Sequence, residues 1–346
     1  MKIHKIIKVP TGEIYVARGE KGRLEFLTVG DYGKDANIKA DFLGITRELN
    51  GVPNGVPMPL TEKWVITLST QYGCSMGCKF CDVPKVGPGR NATLNDLRDQ
   101  ILTAIRQHPE VRQTKRLNIH YARMGEPTWN YNVVINALLL HDIVKPYIGD
   151  SLIHPVVSTM LPKNNRQLRE FLHQWTAEVK NNVFNGDAGL QFSINSTDDG
   201  QREYLFSGNS YDLRTISAIG AELPMPKGRK YALNFALADD SIIDGKRLRE
   251  LFDPEKFMCK ITPLHRTASC EQNHIATTDG YESFTPYKAV EEELKTCGFD
   301  VIVFVPSYDE DNGLITCGNA ILSGKLPTSE YEILELENKD DKSTIY

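Results

Sequence analysis

Short apolar runs and stretches with an apolar residue every three or four positions alternate along most of this chain. Runs that predict strands occupy residues 64–69, 117–121, 154–158, 190–194, 231–237 and 257–261. Each is followed by a predicted helix, near residues 94–107, 131–140, 167–179, 213–219, 246–252 and 287–297. The alternation indicates six consecutive β-α units.

Six β-α units predict an α/β fold with a parallel sheet and helices outside it. Six are too few for a closed eight-stranded barrel, so a partial (β/α)6 TIM-like barrel fits better. A further apolar run, residues 301–305, follows the sixth unit. Ligands of such folds bind at the carboxyl ends of the strands, so the loops after the strands are the place for a site.

The two ends of the chain differ from this core. Residues 1–60 predict a small β-rich extension, with strand patterns at 5–9 and 13–17 around a Pro-Thr-Gly turn and a further one at 23–27. Residues 50–57 are rich in Gly, Pro and Asn, which is typical of a linker or wrapping loop. We therefore expect an extension at 1–60, a core at 61–325 and a mobile acidic tail at 326–346.

Composition narrows the class of protein. The chain has 346 residues, is 40% hydrophobic and 25% charged, and carries a net charge of −5. Residues 1–23 contribute +4 and residues 330–346 contribute −4, so charge neither requires nor excludes a nucleic-acid partner. No apolar run approaches the roughly 18 residues of a membrane span. Seven cysteines and a start without a signal peptide favour the reducing cytoplasm.

Three cysteines stand out at C-x3-C-x2-C spacing after the first predicted strand: Cys74, Cys78 and Cys81. Three thiolates this close cannot all form disulfides, but they can hold one soft metal centre. A [4Fe-4S] cluster bound by three thiolates leaves one iron open to a cofactor or substrate. The alternatives are a zinc site with a distant fourth ligand, or three unrelated cysteines.

Polar residues also follow the next strands. Gly125 and Glu126 follow the second strand, where a glycine permits close approach to a ligand and a carboxylate accepts hydrogen bonds from an ammonium group. Ser158 ends the third strand, and Ser193 and Asn195 end the fourth. These short side chains suit contacts to a ribose or carboxylate, although each is also compatible with an ordinary turn.

Two further residues are candidates for the functional site. His265 follows the sixth strand, where a single histidine is a ligand or a structural loop residue. Cys317 lies between Gly313 and Gly318, in a loop able to approach a site. The alternative for Cys317 is a small buried apolar side chain.

The cysteine loop, with Phe80 before the third cysteine, resembles the signature of the radical S-adenosylmethionine (SAM) superfamily. The resemblance implies a [4Fe-4S] cluster whose open iron is chelated by the amino and carboxylate groups of S-adenosyl-L-methionine. The Met-Gly-Glu-Pro stretch at 124–127 is similar to the superfamily motif that holds the SAM amino group. The resemblance thus implies a cofactor-binding set of Gly125, Glu126, Ser158, Ser193, Asn195 and His265.

Residues 56–322 resemble the RlmN/Cfr-type enzymes, which methylate adenine in RNA. The supporting stretches are 71–74, 124–130, 157–159, 192–195 and 315–318. The resemblance implies that Cys317 is methylated by one SAM, and that the radical from a second SAM takes hydrogen from this methyl group before it adds to adenine. It also implies an RNA substrate and an electron donor such as flavodoxin or ferredoxin.

Four features depart from that family. Thr67 occupies the position of the second cysteine, which releases the product in the family. Asn54 and Gly55 stand where the family has a glutamate, and His265 matches an asparagine. The helical RNA-binding N-terminus of the family is replaced by strand patterns.

Three functions are therefore in competition. The first is an RlmN/Cfr-type methyltransferase with another releasing group, for which Cys259, Cys270 and Cys297 are candidates. The second is a different 5′-deoxyadenosyl-radical reaction on a nucleotide or small substrate. The third is a cluster-bearing nucleic-acid-binding protein without catalysis, and reductive cleavage of SAM separates it from the other two.

Overall fold

The computed structural model describes residues 1–30, 38–39, 59–277, 285–305 and 308–336. The strands are β1 (Lys2–Val9), β2 (Gly12–Gly19), β3 (Gly22–Gly30), β4 (Ile38–Lys39), β5 (Trp64–Thr67), β6 (Gln71–Gly73), β7 (Pro88–Asn91), β8 (Leu117–Tyr121), β9 (Ile153–Thr159), β10 (Gly189–Ser193), β11 (Tyr231–Leu237), β12 (Phe257–Pro263), β13 (Val301–Val305) and β14 (Glu332–Glu335). The helices are α1 (Leu94–Gln107), α2 (Asn132–Leu138), α3 (Leu140–Ile148), α4 (Leu168–Gln174), α5 (Asp199–Leu205), α6 (Leu213–Glu222), α7 (Gly245–Leu251), α8 (Ala268–Gln272), α9 (Thr285–Thr296) and α10 (Tyr308–Asn312).

One large sheet organises the molecule, in the order β14-β1-β2-β3-β5-β8-β9-β10-β11-β12-β13-β4. The seven strands from β5 to β13 are parallel neighbours. The six predicted β-α units are confirmed, and the run at 301–305 is the seventh parallel strand.

The N-terminal strands continue this sheet. The predicted hairpin and its third strand are confirmed as β1, β2 and β3, and β3 pairs antiparallel with β5. The prediction of a mobile tail is wrong for Glu332–Glu335, because β14 pairs with β1 and the Lys5 Nζ lies 2.8 Å from a Glu335 carboxylate oxygen. The linker predicted at 50–57 and residues 337–346 lie outside the described residues.

Contacts between segments at the two sides of the parallel strands show that the sheet is curved. Phe80 follows β5 and β6, whereas Thr267 follows β12, which is five strand spacings away from β5. A flat sheet would separate these strands by roughly 24 Å, yet Thr267 Oγ1 donates a hydrogen bond to the Phe80 carbonyl at 2.9 Å. The parallel strands therefore curl towards one another, as a partial barrel requires.

The helices follow the sequence pattern closely where they are long. Thr93 caps α1 and forms a reciprocal pair of hydrogen bonds with Asp96, while Leu97, Ile101 and Ala104 are buried beneath the helix. The predicted helix at 131–140 is two helices, α2 and α3, and a π-helical segment, Trp175–Val183, continues α4. Three unpredicted helices, α5, α8 and α10, have seven, five and five residues, too few for a clear periodicity.

Among the described residues, none of the helices is long and apolar enough to cross a membrane.

Candidate cluster and cofactor site

The cysteine loop follows β6, close to the carboxyl end of β5. The Cys74 amide donates a hydrogen bond to the Gly87 carbonyl at 3.0 Å, next to the antiparallel pairing of β6 with β7. Gly73 has a φ of +93°, and a Cβ atom there would lie 2.2 Å from the Gly87 oxygen. The β6–β7 hairpin thus fixes the backbone at Cys74 and requires glycine before it.

The segment after α5 holds one side of the loop. The Lys79 amide donates to the Leu205 carbonyl at 2.9 Å, and Asn209 Nδ2 donates to the Met76 carbonyl at 2.9 Å. The edge of the Phe80 ring packs against Phe206 with 5.8 Å between centroids. Phe80 therefore has a packing role in the loop between the second and third cysteines.

Helix α8 and its caps hold the other side. Thr267 Oγ1 donates to the Phe80 carbonyl, Ser269 Oγ to the Cys81 carbonyl and Asn273 Nδ2 to the Lys79 carbonyl, each at 2.9 Å. Three successive carbonyls of the loop are thus occupied by side chains of one short segment. Sequence reasoning missed this segment.

Asp82 joins the loop to the start of α8. Its buried carboxylate accepts hydrogen bonds from the amides of Ala268 at 3.0 Å and Ser269 at 2.9 Å. Burial acts to raise the pKa of Asp82, but hydrogen bonds from Lys85 and Ser269 outweigh it, so the pKa lies below its ordinary value. The carboxylate is therefore charged at neutral pH, where it suits the helix N-terminus. The only sequence signal was an aspartate directly after the third cysteine.

Burial governs the protonation of the three thiols. Cys78 is buried and Cys74 and Cys81 are half-buried. Burial, and then the proximity of Cys81 and Cys74, raise the pKa of Cys78 well above its ordinary value, and burial raises that of Cys74 to about 11. Such thiols stay protonated at neutral pH, and a bound metal centre is what would hold them as thiolates.

The spacing of the thiols matters for the type of metal. In the part of the chain that the structure describes, no three His, Cys, Asp or Glu side chains stand close enough to hold one metal ion. Each thiolate of a four-iron cluster binds a different iron atom, so its three sulfurs need not converge on one ion. The spacing of the three thiols in the loop is therefore compatible with a four-iron cluster.

Glu126 is buried in the loop after β8, where its carboxylate is surrounded by hydrogen-bond donors. One carboxylate oxygen accepts from Thr128 Oγ1 and Thr159 Oγ1 at 2.7 Å, and the other accepts from the Met160 amide at 2.8 Å. Burial raises the pKa of Glu126, while these hydrogen bonds act against that shift. Its carboxylate is fixed in direction and is within electrostatic range of Cys74.

Gly125, which is predicted to permit close approach of a ligand, also has a packing reason to be glycine. Its φ is +97°, and a Cβ atom there would lie 2.5 Å from the Cβ of Gln71 and 2.8 Å from the Gln71 amide nitrogen. Gln71 Oε1 accepts a hydrogen bond from the Glu126 amide at 2.9 Å. Gly125 lets the β8 end pack on the strand that leads into the cysteine loop.

The other predicted cofactor contacts lie at strand ends or in the loops after them. Ser158 is half-buried near the end of β9, opposite Gln191 in β10. Ser193 ends β10 and is 5% exposed, while the Asn195 Oδ1 accepts from the Ala236 amide at 3.1 Å. His265 Nδ1 lies 3.5 Å from an Asp311 carboxylate oxygen.

Cys317 lies beside the cysteine loop and is exposed. The neighbouring Gly318 carbonyl accepts from the Asp82 amide at 2.8 Å, and a Cβ atom at Gly318 would lie 3.9 Å from the Cys81 Cα atom. Thr316 Oγ1 donates to Asp311 at 2.9 Å. The interpretation of Cys317 as a buried apolar residue is therefore wrong.

A buried ion pair supports the Cys317 loop, and sequence reasoning missed it. Arg123, just after β8, and Glu25, in β3, are both almost fully buried, with 2.7 Å between Arg123 Nε and Glu25 Oε1. Arg123 Nη1 also donates to the Leu314 carbonyl at 2.8 Å, and Glu25 Oε2 accepts from the Leu322 amide at 2.8 Å. The pair links the N-terminal strands, the loop after β8 and the loop that contains Cys317.

Comparison with known proteins agrees with this geometry. No family profile matches the chain. It is 28% identical over 207 residues to the dual-specificity RNA methyltransferase RlmN of Anaeromyxobacter dehalogenans, covering 57% of this chain and 51% of that protein. It is 28% identical over 221 residues to the probable dual-specificity RNA methyltransferase RlmN of Streptomyces coelicolor, covering 61% and 57%. The chain spans about half the length of these curated relatives.

The fold comparison covers more of the chain. A radical SAM methyltransferase from Sphaerobacter thermophilus superposes with a TM-score of 0.58 and 20% identity, over 89% of this chain and 77% of that one. The predicted fold class is thereby confirmed. We conclude that this chain resembles the RlmN/Cfr-type branch of the radical SAM superfamily in sequence and has the fold of a radical SAM methyltransferase.

Proposed function

We propose that the chain is a radical SAM enzyme that binds a [4Fe-4S] cluster, cleaves S-adenosyl-L-methionine reductively and methylates adenine in RNA. The observation that carries this proposal is one arrangement at the carboxyl ends of the parallel strands. The loop of Cys74, Cys78 and Cys81 is joined to the buried Glu126 through Gln71, and to the segment of the exposed Cys317 through the hydrogen bond from Asp82 to Gly318. Bound at these strand ends, the cluster and SAM would supply a 5′-deoxyadenosyl radical.

The residues of the chain bind the cluster and the cofactor. Cys74, Cys78 and Cys81 hold three irons, and Glu126 accepts hydrogen bonds from the SAM ammonium group. Ser158, Ser193, Asn195 and His265 face the rest of the cofactor. Residues 61–325 carry this chemistry. The setting is the reducing cytoplasm, which agrees with seven cysteines free of disulfides, and flavodoxin or ferredoxin supplies the electron.

The test is anaerobic turnover of the reconstituted protein with methyl-labelled SAM and a reductant. We expect 5′-deoxyadenosine in the supernatant and a labelled one-carbon group on the tryptic peptide that contains Cys317. The group should be missing from the peptide in the Cys317→Ala variant. Without any 5′-deoxyadenosine from the wild-type protein, the enzymatic proposal fails.

Replacing Glu126 by alanine should weaken SAM binding about ten-fold or more, because a charge-assisted hydrogen bond contributes roughly 1.5–3 kcal/mol. The measurement is equilibrium dialysis of SAM against the reconstituted protein, normalised to its iron content. Since Glu126→Ala also leaves the donors of Thr128 and Thr159 without an acceptor, Thr128→Val is the control for local damage. It removes one donor and should retain SAM affinity. Equal affinity in Glu126→Ala and wild type would make the carboxylate purely structural.

Thr67 favours a second candidate, a different 5′-deoxyadenosyl-radical reaction on a nucleotide or small substrate. It ends β5 opposite His120, and its side chain is 9% exposed. A hydroxyl is far too weakly acidic to act like a thiolate and cannot form the disulfide that releases a product from Cys317. If the turnover experiment gives 5′-deoxyadenosine but no one-carbon group on Cys317, this second candidate replaces RNA methylation.

A further inference from the structure

The face of the parallel sheet opposite the helices is made of polar and small residues on β10 and β11. The ring of Phe192, in β10, lies against α6, because a Cβ atom at Gly220 would be 3.6 Å from it. Successive residues of a strand point to opposite faces, so Gln191 points to the inside of the curved sheet. Its register partner Ala232 points to the same side. What we call the inner face consists of Gly189, Gln191, Ser193, Ala232, Asn234 and Ala236.

The inner face is not filled by large side chains. Five of its six residues are partly exposed, and Ser193 is buried. The helix-facing residues of the same strands are at most 1% exposed: Leu190, Phe192, Leu233 and Phe235. Large branched side chains normally fill the inside of a closed eight-stranded barrel. Here glycine and alanine leave room for a ligand beside the two amide side chains.

The inner face also carries no charge. Of its register partners in β9 and β12, only Lys260, opposite Asn234, is charged. The Lys260 Nζ lies 5.8 Å from the centroid of the Phe304 ring, so this cation interacts within the sheet. A phosphate would need several cations and a metal ion would need charged ligands. The inner face therefore suits a neutral ligand that has both donors and acceptors.

Asn234 has an unmet hydrogen-bond acceptor. Its Oδ1 atom is buried and accepts no hydrogen bond from the described residues. Such an atom is unfavourable, because it has lost its hydrogen bonds to water without replacement. Gln191 is its diagonal neighbour, since Ala232, opposite Gln191, is two residues before Asn234. Strand spacing and rise put the two Cα atoms roughly 8 Å apart, so both amides can reach one ligand.

The two amides lie deeper in the barrel than the proposed cofactor contacts. Ser193, one of those contacts, ends β10, whereas Gln191 lies two residues before that end. Asn234 lies three residues before the end of β11. At about 3.3 Å per residue, the amides are roughly 7 and 10 Å from the strand ends. A ligand held by them would lie beneath a cofactor bound at those ends.

We propose that Gln191 and Asn234 bind the adenine ring of the substrate and recognise its 6-amino group. The proposal rests on the proposed function, since it takes adenine as the base that reacts. An amide side chain suits adenine because it accepts a hydrogen bond from the amino group and donates one to a ring nitrogen. The unmet Asn234 Oδ1 is the acceptor for the amino group, and Gln191 is the donor to the ring. Enzymes that modify a base take it out of its stack into a pocket of this kind.

The test is equilibrium dialysis of labelled adenosine against the reconstituted chain saturated with SAM. No reductant is present, so SAM fills the cofactor site and is not cleaved. The competitor is purine riboside, which is adenosine without the 6-amino group. The wild type should bind adenosine about two- to twelve-fold more tightly than purine riboside, the range that one neutral hydrogen bond gives.

Two variants keep the approximate size of a side chain and remove its amide. Asn234→Leu should bind adenosine and purine riboside equally, because the acceptor for the amino group is lost. Gln191→Met should bind both nucleosides more weakly and keep the preference, because both have the ring nitrogens. Met258→Leu is the matched control, since Met258 lies opposite Ala232 and its replacement removes no amide. It should leave both dissociation constants unchanged, and urea unfolding should confirm that all three variants fold.

Several results would overturn the base site. A folded Asn234→Leu variant with the full preference for adenosine is one of them. A wild type that binds the two nucleosides equally, or binds neither, is another. The third is weaker SAM binding in the amide variants with unchanged adenosine binding, which would assign the amides to the adenine of the cofactor.

Nucleoside binding and turnover separate this proposal from the function on which it rests. If 5′-deoxyadenosine forms and Cys317 is labelled while Asn234→Leu keeps the preference, the base site is refuted and the enzyme remains. If the preference responds as expected but no 5′-deoxyadenosine forms, the base site remains and the enzymatic proposal is refuted.

Discussion

Replacing any one of Cys74, Cys78 and Cys81 by alanine should abolish cluster binding. The wild-type protein should hold about four irons and four sulfides after anaerobic reconstitution. With one thiolate removed, two irons of the cubane lack a protein ligand instead of one, and the half-buried loop offers water in its place. The measurement is iron and acid-labile sulfide per chain, with the visible absorbance of the cluster as a second readout.

Cys297→Ala is the control for this prediction. Cys297 is a half-buried free thiol at the end of α9, so its loss tests whether removing any cysteine lowers iron loading. It should retain the full complement. A wild-type protein that was stable and active with bound zinc and without iron would contradict the radical interpretation altogether.

The parts of this fold that are periodic could be predicted from sequence. The strand predictions at 117–121 and 231–237 and the helix at 94–107 have the bounds of β8, β11 and α1. β11 and α1 bury one face and β8 is buried on both, so each leaves a regular or continuous apolar pattern in the sequence. The cysteine spacing and the Gly-Glu motif are local in sequence as well, so both were visible before the structure.

What remained hidden depends on contacts between distant segments. Glu25 and Arg123 are 98 residues apart, and nothing near either residue signals an ion pair. Helix α8 is too short for periodicity, yet its caps bind the cysteine loop. The pairing of β14 with β1 joins opposite ends of the chain. The acidic composition of residues 326–346 suggested a mobile tail, because composition alone does not show that a segment pairs with a distant strand.

Replacing Glu25 by glutamine should cost about 3–5 kcal/mol of stability, because removal of one partner leaves a buried, uncompensated charge on Arg123. The two side chains are 0% and 1% exposed, so water cannot take the place of the lost carboxylate. Urea unfolding monitored by fluorescence should show the loss as a lower midpoint with little change in slope. Glu335→Gln is the matched control, since its carboxylate is 56% exposed and pairs with Lys5 at the surface. That change should cost less than about 1 kcal/mol.

The same pair should also position Cys317, and a double substitution separates this role from stability. Glu25→Leu/Arg123→Met replaces two buried charges by apolar side chains, which is often neutral for folding. It also removes the donor to the Leu314 carbonyl and the acceptor for the Leu322 amide, the two hydrogen bonds that flank Cys317. Hydrogen exchange in residues 314–322 should therefore be faster in the double variant even where its unfolding midpoint equals that of the wild type. Because the loop would no longer hold its thiol against the cluster edge, labelling of Cys317 by SAM should fall together with the protection. Wild-type exchange rates in a folded double variant would show that Asp82 and Thr316 hold the loop without the ion pair.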